Sequence, residues 1–282
     1  MEINEQKHNE RLAVLDKIKE YEKNGDWYLD AENDPPAEML MPNKVDYLHK
    51  KLSTKLKRKF SFWGAKKYML HLLKAKQLKI KDVVGLENLQ NINSGMIITS
   101  NHFNQLDTFI VQYVTLKAGI KKENLYRVIR EGNYTNCPVP GFVKLIMRYC
   151  NTLPLSSNTD TMKLFYRAMD TVLKKGKPVV VYPEQAMWWN YKKPRPLQDG
   201  AFKFAVRSNV PVVPMFVTMN DSEVVEDNGF KTQEYTIHIF PPIYPDSEKS
   251  KTENIKQMRE KNFELWKSCY ENVYGVKYDL AV

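Results

Sequence analysis

From about Val83 onward, short apolar runs alternate with segments of helical period, and that alternation restricts the chain to a layered α/β fold. Met96–Ser100, Leu125–Arg130, Pro178–Tyr182 and Val210–Thr218 are five to nine residues long and rich in Val and Ile, as buried strands are. Between them, Gln105–Lys117, Phe142–Tyr149, Thr159–Lys175 and Asp199–Ser208 carry the three-to-four-residue spacing of helices. Glu234–Phe240 alternates polar with apolar residues, which predicts a strand at an edge or in a half-exposed place, ended by Pro241-Pro242 and Pro245. Ser250–Tyr274 then predicts a closing amphipathic helix that buries Ile255, Met258, Phe263, Leu265 and Trp266.

The first eighty or so residues follow another pattern. Residues 1–32 predict one charged helix and a polar turn at Asn24-Gly25-Asp26. Asp34-Pro35-Pro36 and Met41-Pro42 interrupt regular structure before a basic helical stretch. The expected organisation is a helical segment over 1–82 and an α/β domain over 83–282, with no internal repeat. At 282 residues, 43% hydrophobic and 12% aromatic, the chain can bury a large core and is not a disordered one.

Charge is concentrated rather than spread. The formal net charge is +10, yet between Lys44 and Lys81 thirteen Lys or Arg residues face a single acid, Asp46. These cations interleave with Leu48, Leu52, Leu56, Phe60, Trp63, Met69, Leu70, Leu72 and Leu73. Four-residue spacing from Leu48 to Phe60 draws an apolar helical stripe beside Lys50, Lys51, Lys55, Lys57, Arg58 and Lys59. A basic amphipathic helix with aromatics along its apolar edge suits an anionic bilayer, each nearby cation contributing about 1 kcal/mol. Lys55, Lys57, Arg58, Lys59, Phe60 and Trp63 are the candidate membrane-binding residues; packing of the stripe on the protein's own core is the competing explanation. Nucleic acid is not an expected partner, because no recognised binding motif accompanies the basic run.

Other compositional features exclude function classes. Cys137, Cys150 and Cys269 show neither paired nor metal-ligand spacing, and the five His residues are scattered, so no disulfide framework and no metal site are expected. No stretch approaches the roughly 18 to 20 apolar residues of a membrane-spanning helix, and the polar, acidic start does not resemble a signal peptide. The expectation is a cytoplasmic protein held peripherally at the inner face of a membrane.

One heptapeptide carries chemistry. Asn101-His102-Phe103-Asn104-Gln105-Leu106-Asp107 follows the run Met96–Ser100, placing a His and a carboxylate five residues apart at a strand-to-helix junction. Positions five apart do not share a helix face, so the two side chains meet only if His102 lies in the turn and Asp107 in the first turns of the helix. In that arrangement His102 is suited to general-base work near neutrality, with Asp107 fixing its tautomer. Ser100 and Asn101 are placed to bond at the turn, by capping or toward substrate. The alternative is a surface His that merely precedes an Asp.

The heptapeptide resembles the NHxxxxD signature of the glycerolipid acyltransferases, the family that includes the 1-acylglycerol-3-phosphate acyltransferases. Tyr182-Pro183-Glu184 resembles that family's Pro-Glu-Gly segment, and Gly200–Ala205 followed by Val210-Pro211-Val212-Val213-Pro214 resembles its last motif. The resemblance covers roughly Gly85 to Val217. It implies a mixed central sheet flanked by helices, with His102 as base, Asp107 as its partner, and Glu184 at the acceptor site. It also implies a lysophospholipid or similar acceptor, and acyl-CoA or acyl-carrier protein as co-substrate with no further cofactor.

Two departures bear on the acceptor. The family's second motif ends in an Arg taken to grip the acceptor's phosphate; here Pro140-Gly141-Phe142 and Asn151–Leu155 resemble its surroundings, but Ser156-Ser157 stand at the Arg position. The third motif continues in the family with Gly, a small hydroxyl residue and Arg, whereas here it continues Gln185-Ala186-Met187, then Trp188-Trp189-Asn190-Tyr191. Lys192, Lys193 and Arg195 are the candidate replacements, with Arg130 and Arg148 also available. Trp188, Trp189 and Tyr191 are candidates to stack on a sugar ring, to sit at a membrane interface, or to pack in a core. The resemblance thus implies a peripheral O-acyltransferase acting on lysophosphatidate or a related lipid. The alternatives are another acceptor, such as a glycolipid, and a noncatalytic lipid-binding protein on the same fold; no Gly-x-Ser-x-Gly elbow supports a hydrolase.

Overall fold

The computed structural model describes residues 3–32, 37–136 and 141–280. The expected break at Asp34-Pro35-Pro36, together with Cys137 and Pro140, lies outside the described residues. The described elements run α1 (Glu5–Asn24), α2 (Leu52–Lys74), β1 (Lys79–Val84), α3 (Glu87–Gln90), β2 (Met96–Thr99), α4 (Asp107–Lys117) and β3 (Tyr126–Ile129). They continue with α5 (Glu131–Thr135), α6 (Gly141–Tyr149), β4 (Thr152–Pro154), α7 (Thr159–Lys174) and β5 (Pro178–Val181). The chain closes through α8 (Gly200–Ser208), β6 (Val212–Val225), β7 (Lys231–Ile239) and α9 (Lys251–Tyr274).

Seven strands form one mixed sheet in the order β1-β7-β6-β2-β5-β3-β4. β6, β2, β5, β3 and β4 run parallel, while β7 and β1 run the other way. Alternation along the strands divides the core. Ile97, Val179, Val181 and Val212 face α7, α8 and α9 on one side; Ile98, Val180, Val213, Met215 and Val217 face α4 and the end of α2 on the other. The runs read as continuous apolar because the central parallel strands are covered on both faces.

β7 lies inside the sheet, yet Glu234, Thr236 and His238 are half-buried along one face, so of the two places expected for Glu234–Phe240 it takes the half-exposed one rather than an edge. The edge is β1, hidden in the sequence because its residues, Lys-Ile-Lys-Asp-Val-Val, continue the lysine-rich run. Its charges suit an unpaired edge, and Lys79 sits opposite Glu234 with Nζ 3.4 Å from the carboxylate. β1 also straddles the expected boundary at residue 82. Gly85, just beyond it, takes φ +78°, and a Cβ there would lie 2.1 Å from the Ile239 carbonyl oxygen.

α2 differs from its expected form. The helix starts at Leu52, so Leu48 is not on it and packs instead against the core that faces α7–α9. Phe62, Met69 and Leu72 are buried, yet Leu52, Leu56, Phe60, Trp63 and Leu70 on the other side are half to three-quarters exposed. The helix is therefore apolar on two sides, one packed and one open. No helix among the described residues is long and apolar enough to cross a membrane.

α1 lies against the segment that follows β5. Val14, Ile18, Trp27 and Ala31 form a third core cluster with Ala186 and Trp188. The Trp188 ring stacks on Trp27 at 5.9 Å and meets Tyr191 edge-on at 5.0 Å, while its Nε1 donates to the Leu29 carbonyl at 2.9 Å. Trp189 meets Phe230 edge-on, with Arg11 over its ring. Of the three options for these aromatics, the structure takes core packing. The first points inward and the second sideways onto the hairpin of β6 and β7, so adjacent Trp residues are both accommodated.

Candidate active site

In a parallel sheet the strands end together, and ligand sites gather at their C-terminal edge. Here β2 ends at Thr99 beside Val181 of β5 and Pro214 of β6, and the chain leaves β2 through Asn101 into a turn. Asn101 is 3% exposed, and its side chain imitates a strand residue: Nδ2 donates to the Val217 carbonyl at 3.0 Å, and Oδ1 accepts from the Val217 N–H at 2.9 Å. Asn101 thus pins the turn to β6, with both ends of its amide engaged there. The following residue, His102, stands at the open rim.

Asn104 shapes the rest of the turn. Its Oδ1 accepts from the Leu106 N–H at 3.0 Å, its carbonyl accepts from the Asp107 N–H, and its Nδ2 donates to Asn190 Oδ1. α4 starts at Asp107, where the helix N-terminus favours a carboxylate. His102 Nδ1 lies 2.6 Å from Asp107 Oδ2, with the imidazole about a quarter exposed and the carboxylate buried. For that bond Nδ1 carries the proton, which leaves Nε2 as the ring's proton acceptor. The sequence requirement that His102 lie in the turn and Asp107 in the first helical turn is met in this geometry.

Glu184 is buried rather than at the surface. Its Oε2 accepts from the His102 backbone N–H at 2.9 Å, its Oε1 accepts from the Arg195 N–H at 2.8 Å, and Arg195 Nη2 lies 3.1 Å from Oε2. Arg195, 1% exposed, also donates to the carbonyls of Trp27, Ala186 and His102 and lies over the Trp188 ring at 4.5 Å. Burial lowers the Arg195 pKa and Glu184 opposes that shift. The pair therefore braces the His102 turn from below, tying it to the segment after β5 and to the N-terminal segment. Its two members are not placed to grip an acceptor, because their polar atoms are already engaged within the protein.

The remaining basic candidates are dispersed. Lys193 bonds Glu22 Oε1 at 2.5 Å and the Asp279 carbonyl; Lys192 is exposed and lies over the Tyr274 ring. Arg130 pairs with Asp30 at 2.6 Å, and Arg148 donates to the carbonyls of Tyr134 and Thr135. Ser156 and Ser157, at the place where the family carries an arginine, bond a carboxylate instead: Glu131 accepts from the Ser156 hydroxyl and the Ser157 N–H, and from the Leu40 N–H. Among the membrane candidates, Lys55, Lys59, Phe60 and Trp63 are exposed, and Lys57 lies over Tyr149. Arg58 turns inward, with Nε donating to Asn151 Oδ1 at 2.7 Å and Nη2 to the Glu123 carbonyl at 2.8 Å, so it belongs to the fold rather than to the open face.

The sequence reading gave no role to Tyr182, which supports the imidazole: the two rings stack with centroids 4.4 Å apart. Nothing local marks that contact, since residues 102 and 182 meet only through the pairing of β2 with β5. Among the described residues no three His, Cys, Asp or Glu side chains converge as a metal-ligand set.

A His–Asp dyad thus stands at the C-terminal end of the parallel strands of a mixed α/β sheet. Residues 81–218 match the family described as Acyltransferase. A chloroplastic 1-acyl-sn-glycerol-3-phosphate acyltransferase of Brassica napus is 33% identical over 176 residues, covering 58% of this chain and 45% of that one; the chain thus spans under half the length of that relative. The 1-acyl-sn-glycerophosphate acyltransferase PlsC of Thermotoga maritima shares the fold with a TM-score of 0.50 at 18% identity, over 83% of this chain and 87% of that one. Over residues 81–218, just under half of its length, the chain is thus similar to the glycerolipid acyltransferases.

Proposed function

We propose that this chain is a peripheral membrane O-acyltransferase that moves a fatty acyl group from an acyl thioester, on CoA or acyl-carrier protein, to a hydroxyl of lysophosphatidate or a related glycerolipid. The observation that carries the reading is the 2.6 Å bond between His102 Nδ1 and Asp107, which presents Nε2 as a base at an open strand-end rim. The acceptor hydroxyl gives its proton to Nε2 as its oxygen bonds the thioester carbonyl carbon. The resulting oxyanion collapses, the C–S bond breaks, and the departing thiolate takes the proton from the imidazolium. Asp107 holds the tautomer and stabilises the imidazolium throughout.

The open side of α2 supports the membrane assignment. Leu52, Leu56, Phe60, Trp63 and Leu70 are exposed, Phe60 and Trp63 stack at 5.6 Å, and Lys67 lies over Trp63 at 4.1 Å. Exposed Lys55, Lys59 and Lys66 flank them. Residues before the sheet thus form a surface segment for an anionic bilayer, and the α/β part carries the chemistry. Glu131 at Ser156 and Ser157 favours a second reading of the acceptor, a lipid hydroxyl whose headgroup is not a phosphomonoester, because a carboxylate repels phosphate there.

The test is thiol release from long-chain acyl-CoA on anionic liposomes, with and without lysophosphatidate and with His102→Ala as control. Release that needs the acceptor and is lost in the variant supports the first reading. Release with a glycolipid acceptor alone moves it to the second, and silence with every acceptor and both donors overturns catalysis.

A further inference from the structure

The plane of the His102 imidazole lies 23° from that of Tyr182, the residue that follows β5. Tyr182's hydroxyl is buried and makes no hydrogen bond, although it lies beside the Asp107 carboxylate and Thr108. For packing alone a phenylalanine would serve better, giving the same stacked ring without an unpartnered polar atom. The phenol is also held protonated: burial first, and then the Asp107 charge, raise its pKa well above the ordinary tyrosine value, so it remains a donor wherever the enzyme works.

The groups around it are few. Asp107 and Thr108 come from the start of α4. Arg127 of β3 lies half-buried nearby, bonding Thr108 Oγ1 at 2.8 Å, Gln112 Oε1 at 2.6 Å and the Cys150 carbonyl. Tyr235 of β7 lies close enough for the Asp107 charge to raise its pKa as well, after burial. On the β5 side, Glu184 and Arg195 engage the His102 backbone, not its ring. Tyr182 is therefore a neutral donor set against a carboxylate that gives one oxygen to His102.

We propose that Tyr182 is a positioning residue of the dyad: its ring fixes the plane of the imidazole, and its hydroxyl is the reserve donor that bonds Asp107 when His102 takes the acceptor's proton. A donor that bonds the carboxylate only while His102 is protonated stabilises the imidazolium–carboxylate pair. The proton is then held on the ring between its arrival from the hydroxyl and its departure to the thiolate. Without the hydroxyl, the charged pair loses that support and His102 gives up its proton at lower pH.

The turnover part of this inference rests on the proposed acyl transfer; the proton-holding part does not, and the experiment separates them. The His102 imidazole is titrated by NMR in the full-length protein, its signals assigned by their loss in His102→Gln. Tyr182→Phe, which keeps the ring and the fold, lowers the His102 pKa by about 0.5 to 1 unit, the equivalent of one ordinary hydrogen bond. The acid limb of thiol release falls by the same amount. Tyr182→Leu also loses the stacked ring, and its imidazole signals broaden. A folded Tyr182→Phe protein whose His102 titrates as the wild type does overturns the hydroxyl's role. If the shift appears but no protein releases thiol, the positioning role stands and the acyltransferase reading falls; release with an unshifted titration gives the converse.

Discussion

Glu184→Ala separates the role the structure gives this carboxylate from the one the family resemblance implies. The side chain is 2% exposed and serves three donors: the His102 N–H, the Arg195 N–H and the Arg195 guanidinium. Removing one member of a buried ion pair costs about 3 to 5 kcal/mol, because the survivor stays buried and uncompensated. Each orphaned buried N–H costs about 1 to 3 kcal/mol, partly overlapping the first figure. A loss of about 4 to 6 kcal/mol is expected, a large share of the roughly 5 to 15 kcal/mol that holds a typical domain folded. Urea unfolding followed by tryptophan fluorescence reads it directly, since Trp188 lies on the Arg195 guanidinium. Glu184→Ala/Arg195→Met should recover part of the loss, because no unpaired cation is then left. If Glu184 instead binds the acceptor, the single variant raises KM and leaves the urea midpoint in place. A stability within about 1 kcal/mol of wild type would refute the brace.

Other substitutions test separate parts of the molecule. His102→Ala should lower thiol release by about 100- to 10,000-fold, the usual worth of a general base, while flotation with liposomes is unchanged; comparable turnover in the variant excludes His102 as the base. Replacing Lys55, Lys57 and Lys59 by Gln should weaken binding to anionic liposomes about 100-fold at low salt, at about 1 kcal/mol per cation, and the difference should shrink as salt is added. Arg58→Gln should instead lower the thermal midpoint, because it unties Asn151 and Glu123. His49 is 5% exposed, and burial, reinforced by Arg58 and opposed by Asp46, lowers its pKa to about 4. Folding therefore favours the neutral ring, and this contribution is complete above the unfolded value near 6.5 and is lost as pH falls toward 4. Stability should drop by about 3 kcal/mol over that window, and a His49→Phe protein should show a correspondingly flatter profile.

What the sequence displays and what it hides differ by range. The central strands β2, β5 and β6 were legible because burial on both faces makes them continuous Val and Ile runs, and Asp107 was legible because its bond to His102 spans five residues. β1 was not, since an edge strand needs no apolar run and its lysines merged with those of α2. The place of β7 was legible in part: its alternation marked a half-exposed strand, but the neighbour at its edge carried no strand signal. On α2, spacing located the stripe correctly from Leu52 onward and added Leu48 only because a period cannot show where a helix begins.

The candidate site divides along the same line. Residues that touch their partners within one turn were assigned from spacing. Residues whose partners come from another strand were assigned by chemical type, and for these the type misled. Glu184 and Arg195 carry the charges expected of a headgroup site, but each is the other's counterion, 11 residues apart and sealed under Trp188 and the N-terminal segment. Asn101 has the donor and acceptor expected of a substrate contact and spends both on Val217, 116 residues away. The chemistry at the rim is thereby reduced to the imidazole of His102. The polar residues around it hold its backbone and its tautomer still, which is what the proposed role as a base requires.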